Sequence, residues 1–116
     1  MISAPVVVGL GAVVGATARY AIGELVDGGG FALPTLLVNV VGSFLLELAV
    51  FGGLDGPVAL FFAVGLCGSL TTYSSFAVDT VELSTVDSRR GAAYVVATSL
   101  CSLLAVAVAA GLVSVV

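Results

Sequence analysis

The sequence predicts an all-α membrane protein of four transmembrane helices, and three observations carry that prediction. Of the 116 residues, 60% are hydrophobic and only 9% charged, whereas soluble domains carry about 25% charge. The mean hydropathy is +1.30, so the solvent for most of the chain is lipid. The apolar residues collect into four runs separated by short polar stretches. At about 20 residues per crossing, four spans use nearly the whole length and leave no room for a separate soluble domain. The expected organisation is one domain over residues 1–116, with helices at about 4–23, 33–53, 57–83 and 91–115.

The first helix carries Gly11, Gly15 and Arg19 at intervals of four. The glycines form a small-xxx-small seam that lets another helix approach closely. Arg19 either snorkels to the interface or adds positive potential at a pore mouth. No basic leader precedes this run, so a cleaved signal peptide is not expected. A turn through Glu24, Asp27 and Gly28-Gly29-Gly30 follows. The second helix bears Thr35, Asn39, Ser43 and Glu47, again four apart, which draws a polar stripe down one side of an apolar helix. Lipid cannot satisfy such groups, so the stripe faces a partner helix or water. Glu47 is the hardest of them to place, because a carboxylate at that depth needs a partner, a proton or water.

The third helix starts well at Pro57, whose ring suits the first turn. It then meets Gly68-Ser69-Leu70-Thr71-Thr72, a stretch of poor helix propensity in the middle of the span. Either the helix breaks across 68–72, freeing carbonyls that can bind cations, or it continues with small residues for close packing. Beyond it, Tyr73 and Phe76 share a helical face, and their electropositive edges suit an anion. A connection over Ser84–Arg90 leads to the fourth helix, whose Tyr94, Thr98 and Ser102 repeat the polar stripe. Two stripes of neutral donors suggest a lined path, with interhelical hydrogen bonding as the alternative.

Several function classes are excluded. Seven acidic residues against three arginines, without lysine or histidine, give a net charge of −4 and no basic surface for nucleic acid. No metal-ligand cluster or phosphate-binding loop is present, and the chain is not expected to be an enzyme. Cys67 and Cys101 fall inside apolar runs and read as small buried hydrophobes. Arg89 and Arg90 favour a cytoplasmic loop between the last two helices, but two charges are a weak bias that permits either orientation.

Three stretches together resemble the Fluc (CrcB) family of fluoride channels along essentially the whole chain. They are Gly11-Ala12-Val13-Val14-Gly15-Ala16-Thr17-Ala18-Arg19-Tyr20, Leu37-Val38-Asn39-Val40-Val41-Gly42-Ser43-Phe44, and Gly65-Leu66-Cys67-Gly68-Ser69-Leu70-Thr71-Thr72-Tyr73-Ser74-Ser75-Phe76. The resemblance implies an antiparallel, dual-topology dimer in the cell membrane, with two pores. It also implies a structural sodium ion at the subunit interface, held by the main-chain carbonyls of Gly68 and Thr71. The implied ion pathway comprises Asn39, Tyr73, Phe76, Thr98 and Ser102, with Arg19 matching the family arginine. The implied function is passive export of fluoride that entered as hydrogen fluoride and dissociated in the cytoplasm. Three positions depart from the pattern: Tyr73 replaces the usual phenylalanine, Glu47 a glycine, and Asp79 a glutamate. Two other readings stay open, a partner subunit of a heterodimeric channel and a small multidrug-type proton-coupled exporter.

Overall fold

The computed structural model describes residues 3–27 and 30–115; Gly28 and Gly29 of the expected first turn lie outside the described residues. Within them the chain is helical throughout, without a strand, and four helices are long and apolar enough to cross a membrane. These spans are Ala4–Leu25, Leu33–Phe51, Gly56–Val86 and Ser88–Val115. Proline occupies the first turn of each of the first three, where its missing N–H leaves no intrahelical bond unmade. The molecule measures 51 × 32 × 20 Å, and its long side clears the roughly 30 Å hydrocarbon core of a bilayer.

Two boundaries differ from expectation. The second helix stops at Phe51 rather than near residue 53, because Gly53 turns the chain at φ 92° and Gly56 at φ 59°, conformations that favour glycine. The connection expected over Ser84–Arg90 shrinks to one residue. Helix continues to Val86, only Asp87 is extended, and helix resumes at Ser88. The Asp87 carboxylate accepts the Arg89 N–H at 3.0 Å, and its carbonyl accepts those of Arg90 and Gly91. An aspartate in that position satisfies the open donors of a helix start and complements its dipole.

The third span is not uniform. It winds as an α-helix over Gly56–Ala59, as a π-helix over Leu60–Cys67, and as an α-helix again over Gly68–Leu70. Thr71 and Thr72 are extended, and an α-helix follows over Tyr73–Val86. Gly68, Ser69 and Leu70, expected within a break over 68–72, are therefore helical. Hydroxyl groups bonded to preceding carbonyls support this turn, Ser69 to Leu66 at 3.2 Å and Thr71 to Cys67 at 2.9 Å.

The π-helical segment lies directly on the first span. A Cβ at Gly11 would run into the Phe61 carbonyl, one at Gly15 into Ser69 and the Leu66 carbonyl, and one at Gly65 into the first span's backbone. The expected glycine seam is thus a backbone-to-backbone contact, which only glycine permits. Few large side chains are fully buried; Val38 and Tyr94 are the main ones. Many others face outward, among them Leu25, Val13 and Leu103. In water such a surface would aggregate, whereas against acyl chains it is the required exterior.

Candidate functional site

The two extended residues pose an accounting problem, since a backbone group unpaired in apolar surroundings costs about 1–3 kcal/mol. Asn39, on the second span, solves it for Thr72. The Thr72 N–H donates to Asn39 Oδ1 at 2.7 Å, and Asn39 Nδ2 donates to the Thr72 carbonyl at 2.9 Å. Ser43 reinforces the asparagine by donating to its carbonyl at 2.7 Å. Thr72 then caps the next helix, its Oγ1 accepting the Ser75 N–H at 3.1 Å. Gly42 provides room on the second span, for a Cβ there would strike the Thr71 methyl.

The interruption leaves several carbonyls without their helical donors, those of Gly68 and Thr71 among them. In a continuous helix, the N–H of Thr72 would bond to the Gly68 carbonyl and that of Ser75 to the Thr71 carbonyl. Both donors are committed elsewhere, to Asn39 and to the Thr72 hydroxyl. The carbonyls of Gly68 and Thr71 are thereby denied their helical partners. Gly68 also borders open space, with nothing within 4 Å of a Cβ built on it. Two carbonyl oxygens form a hard donor set, of the kind that suits alkali and alkaline-earth cations rather than transition metals.

A cavity of about 440 Å³ opens beside this point, and it gathers most of the residues expected to matter. Asn39, Tyr73, Phe76, Thr98 and Ser102 line it, and Gly68 and Thr71 form part of its wall. Asn39 Nδ2 spends one amide hydrogen on Thr72 and keeps a second to donate. The rings are arranged in a chain. Tyr73 and Phe76 have centroids 6.1 Å apart at 43°, Phe76 stacks on Tyr94 at 5.5 Å, and Phe31 meets Tyr94 edge-on at 5.4 Å. Tyr73 is 81% exposed, while Tyr94 is 0% exposed. The hydroxyls of Tyr94 and Thr98 are both buried, and those of Thr98 and Thr35 lie beside that of Tyr94.

Arg19 is set apart from this group. It lines a second cavity of about 340 Å³, together with Thr35 and Ser75. Thr72 borders both cavities, whereas Asn39 and Thr71 line only the first. Sequence reasoning singled out Thr72 only as part of a weak helix. The signal that identifies it is its place before Tyr73-Ser74-Ser75, which is the position of a threonine helix cap.

Four membrane-capable helices, the third carrying two extended residues beside a cavity, define a multi-pass membrane protein. The chain belongs to the family described as CrcB-like protein, Camphor Resistance (CrcB), whose pattern matches residues 6–112. It is 47% identical over 100 residues to "Fluoride-specific ion channel FluC 2" of Natronomonas pharaonis, covering 85% of this chain and 84% of that one. It is 46% identical over 100 residues to "Fluoride-specific ion channel FluC 1" of Rhodococcus jostii, covering 85% and 76% respectively. It is also 47% identical over 76 residues to "Fluoride-specific ion channel FluC 2" of Haloarcula marismortui, covering 66% of this chain and 64% of that one. This is a family of ion channels, not enzymes, and the match leaves the small multidrug-type exporter reading without support.

Proposed function

We propose that this chain forms a fluoride-selective pore that lets cytoplasmic fluoride leave down its gradient. The observation that carries this reading is the cavity in which Asn39, Thr98 and Ser102 face Tyr73 and Phe76, in a chain whose relatives are named fluoride-specific channels. A small anion must exchange its hydration shell for protein groups. Neutral amide and hydroxyl donors do this without the trap that a buried cation would set. The Thr98 hydroxyl, buried beside that of Tyr94, can turn its proton toward an anion at the cavity wall. The edges of Tyr73 and Phe76 supply further positive potential. Arg19, across Thr72, raises the local anion concentration before the narrow region.

The functional unit in this reading is an antiparallel, dual-topology dimer with a structural sodium ion at its interface. The carbonyls of Gly68 and Thr71 fit such an ion, because both have lost their helical donors and Gly68 borders open space. A sodium ion held there would supply fixed positive charge and tie the subunits together, while these residues only offer oxygen atoms. A paired assembly of two different subunits is the second reading. It is favoured by the tyrosine at position 73 and by relatives numbered FluC 1 and FluC 2.

The test is fluoride efflux from liposomes holding the purified protein, measured beside chloride. Fluoride release with chloride retained supports the pore. No fluoride release from this chain alone would sink the homodimer, and recovery with a co-expressed relative would establish pairing. Phe76→Ile is expected to abolish flux and leave the dimer intact; unchanged flux removes the aromatic pair from the pathway.

A further inference from the structure

Glu47 sits one helical turn beyond Ser43, on the stripe that starts at Thr35 and Asn39. Its neighbour Leu46 and the preceding Ser43 both line the cavity, with Ser102 opposite on the fourth span. A turn adds about 5–6 Å toward the Phe51 end of the second span, where the helix stops four residues later. Glu47 therefore stands between the polar cavity and the aqueous end of the helix. Its side chain is half-buried and has no hydrogen-bond or ion-pair partner.

Among the described residues of the chain, none of its neighbours neutralises the charge. The second span carries no other ionisable residue, and the fourth span carries none from Ser102 to Val115. In the third span, residues 56–67 contribute only the Cys67 thiol, and the first span contributes nothing ionisable over Ala4–Val14. The nearby loop adds only Asp55, which is exposed and therefore screened by solvent. Within one chain the topology places all three arginines toward the opposite end, Arg19 late in the first span and Arg89 and Arg90 at the start of the fourth. An antiparallel second chain would bring its arginine-bearing end to this side, so it is the immediate neighbours of Glu47, and not the net charge of that end, that leave the carboxylate unneutralised. The terminal groups, on Met1 and Val116, lie outside the described residues.

We propose that the Glu47 carboxylate is an electrostatic brake at one mouth of the cavity, and that it sets the rate at which anions pass. The proposal rests on the anion-pore reading above. A like charge about one helical turn from the path repels an approaching anion, and its low-dielectric flank preserves that repulsion. Fluoride, which enters as an anion here, is slowed by the same field that would favour a cation.

The experiment compares fluoride efflux from liposomes for wild type, Glu47→Gln, Glu47→Asp and Asp55→Asn, each shown by size-exclusion to keep the wild-type assembly. At low ionic strength Glu47→Gln is expected to be about three- to tenfold faster than wild type. Glu47→Asp, which keeps the charge, stays slow, and Asp55→Asn leaves the rate unchanged. As ionic strength rises and the screening length falls below about 5 Å, the advantage of Glu47→Gln shrinks toward unity. Equal rates for Glu47→Gln and wild type would overturn the proposal. So would an advantage that salt does not reduce, an accelerated Glu47→Asp, or an equal acceleration by Asp55→Asn. Absence of fluoride flux from every variant overturns the homodimeric pore together with this proposal, whereas conduction by wild type with any of those other results overturns this one alone.

Discussion

The two halves of the third span lie end to end and are held by different means. Residues 56–70 are almost wholly apolar, and over Leu60–Cys67 they press against the first span through backbone contacts at Gly11, Gly15 and Gly65. Tyr73–Val86 begins with exposed Tyr73 and Ser74, contains no fully buried side chain, and is held at its start by the hydrogen bonds of Thr72. The first half is fastened to the first span by backbone contact, and the second to the fourth span by Phe76 on Tyr94 and by Gly91 against Ser84 and Thr80, with the hydrogen bonds of Thr72 at its start. A passive path benefits from both. The close-packed half fixes where the interruption falls, and the looser half can present rings and hydroxyls to a cavity without a large packing penalty.

That contrast can be broken at chosen positions. The largest effect is expected from Gly15→Leu, whose side chain would collide with Ser69 and the Leu66 carbonyl. Backbone cannot yield as a side-chain tip does, so the variant should give no monodisperse protein after extraction. Gly68→Ala, a few residues away but bordering open space, should behave as wild type in the same assay. Equal behaviour of the two would show that the seam does not hold the first half.

Asn39→Ala comes next. It deprives the Thr72 N–H and carbonyl of their partners, a loss of about 2–5 kcal/mol for the pair, and should lower the detergent melting temperature read by circular dichroism. A melt like that of wild type would mean that the interruption does not depend on the asparagine. Asp87→Ala removes the cap of the fourth helix and should lower stability by about 1 kcal/mol, a smaller shift in the same melt. The smallest is Thr98→Val. Because the hydroxyl has only the neutral hydroxyl of Tyr94 beside it, the melt should move by only about 0.5 kcal/mol, while fluoride efflux falls. A large destabilisation would show that the hydroxyl has a structural bond, and an unchanged flux would remove it from the path.

Much of the fold was legible because lipid imposes a simple rule. The four spans followed from apolar runs and from prolines at helix starts, and the Gly11 and Gly15 spacing pointed to the seam that forms. What misled was local polarity. Ser84 and Thr85 read as loop, yet each bonds its hydroxyl to a preceding carbonyl, of Thr80 and Glu82, at 2.8 and 2.6 Å. Such back-bonding lets polar residues remain helical. Gly68, Ser69 and Leu70 misled in the same way, and the π-helix before them left no mark in the residue types.

The candidate site was legible as a set of residue types and not as an arrangement. Asn39, Tyr73, Phe76, Thr98 and Ser102 stood out as polar or aromatic groups at helical spacing, and the cavity brings them together. Spacing along one helix cannot say that Asn39 reaches across to Thr72, 33 residues away, nor that Arg19 lines a separate cavity that Thr72 also borders.

By itself the sequence determined that this is a four-span membrane protein and which side chains lipid would reject, since both depend only on the transfer of residues from water to hydrocarbon. Tertiary structure decided which backbone groups go unpaired. Thr72 and Ser75 each have one N–H to give, and only the approach of Asn39 and the turn of the chain at Thr72 commit both of them away from Gly68 and Thr71.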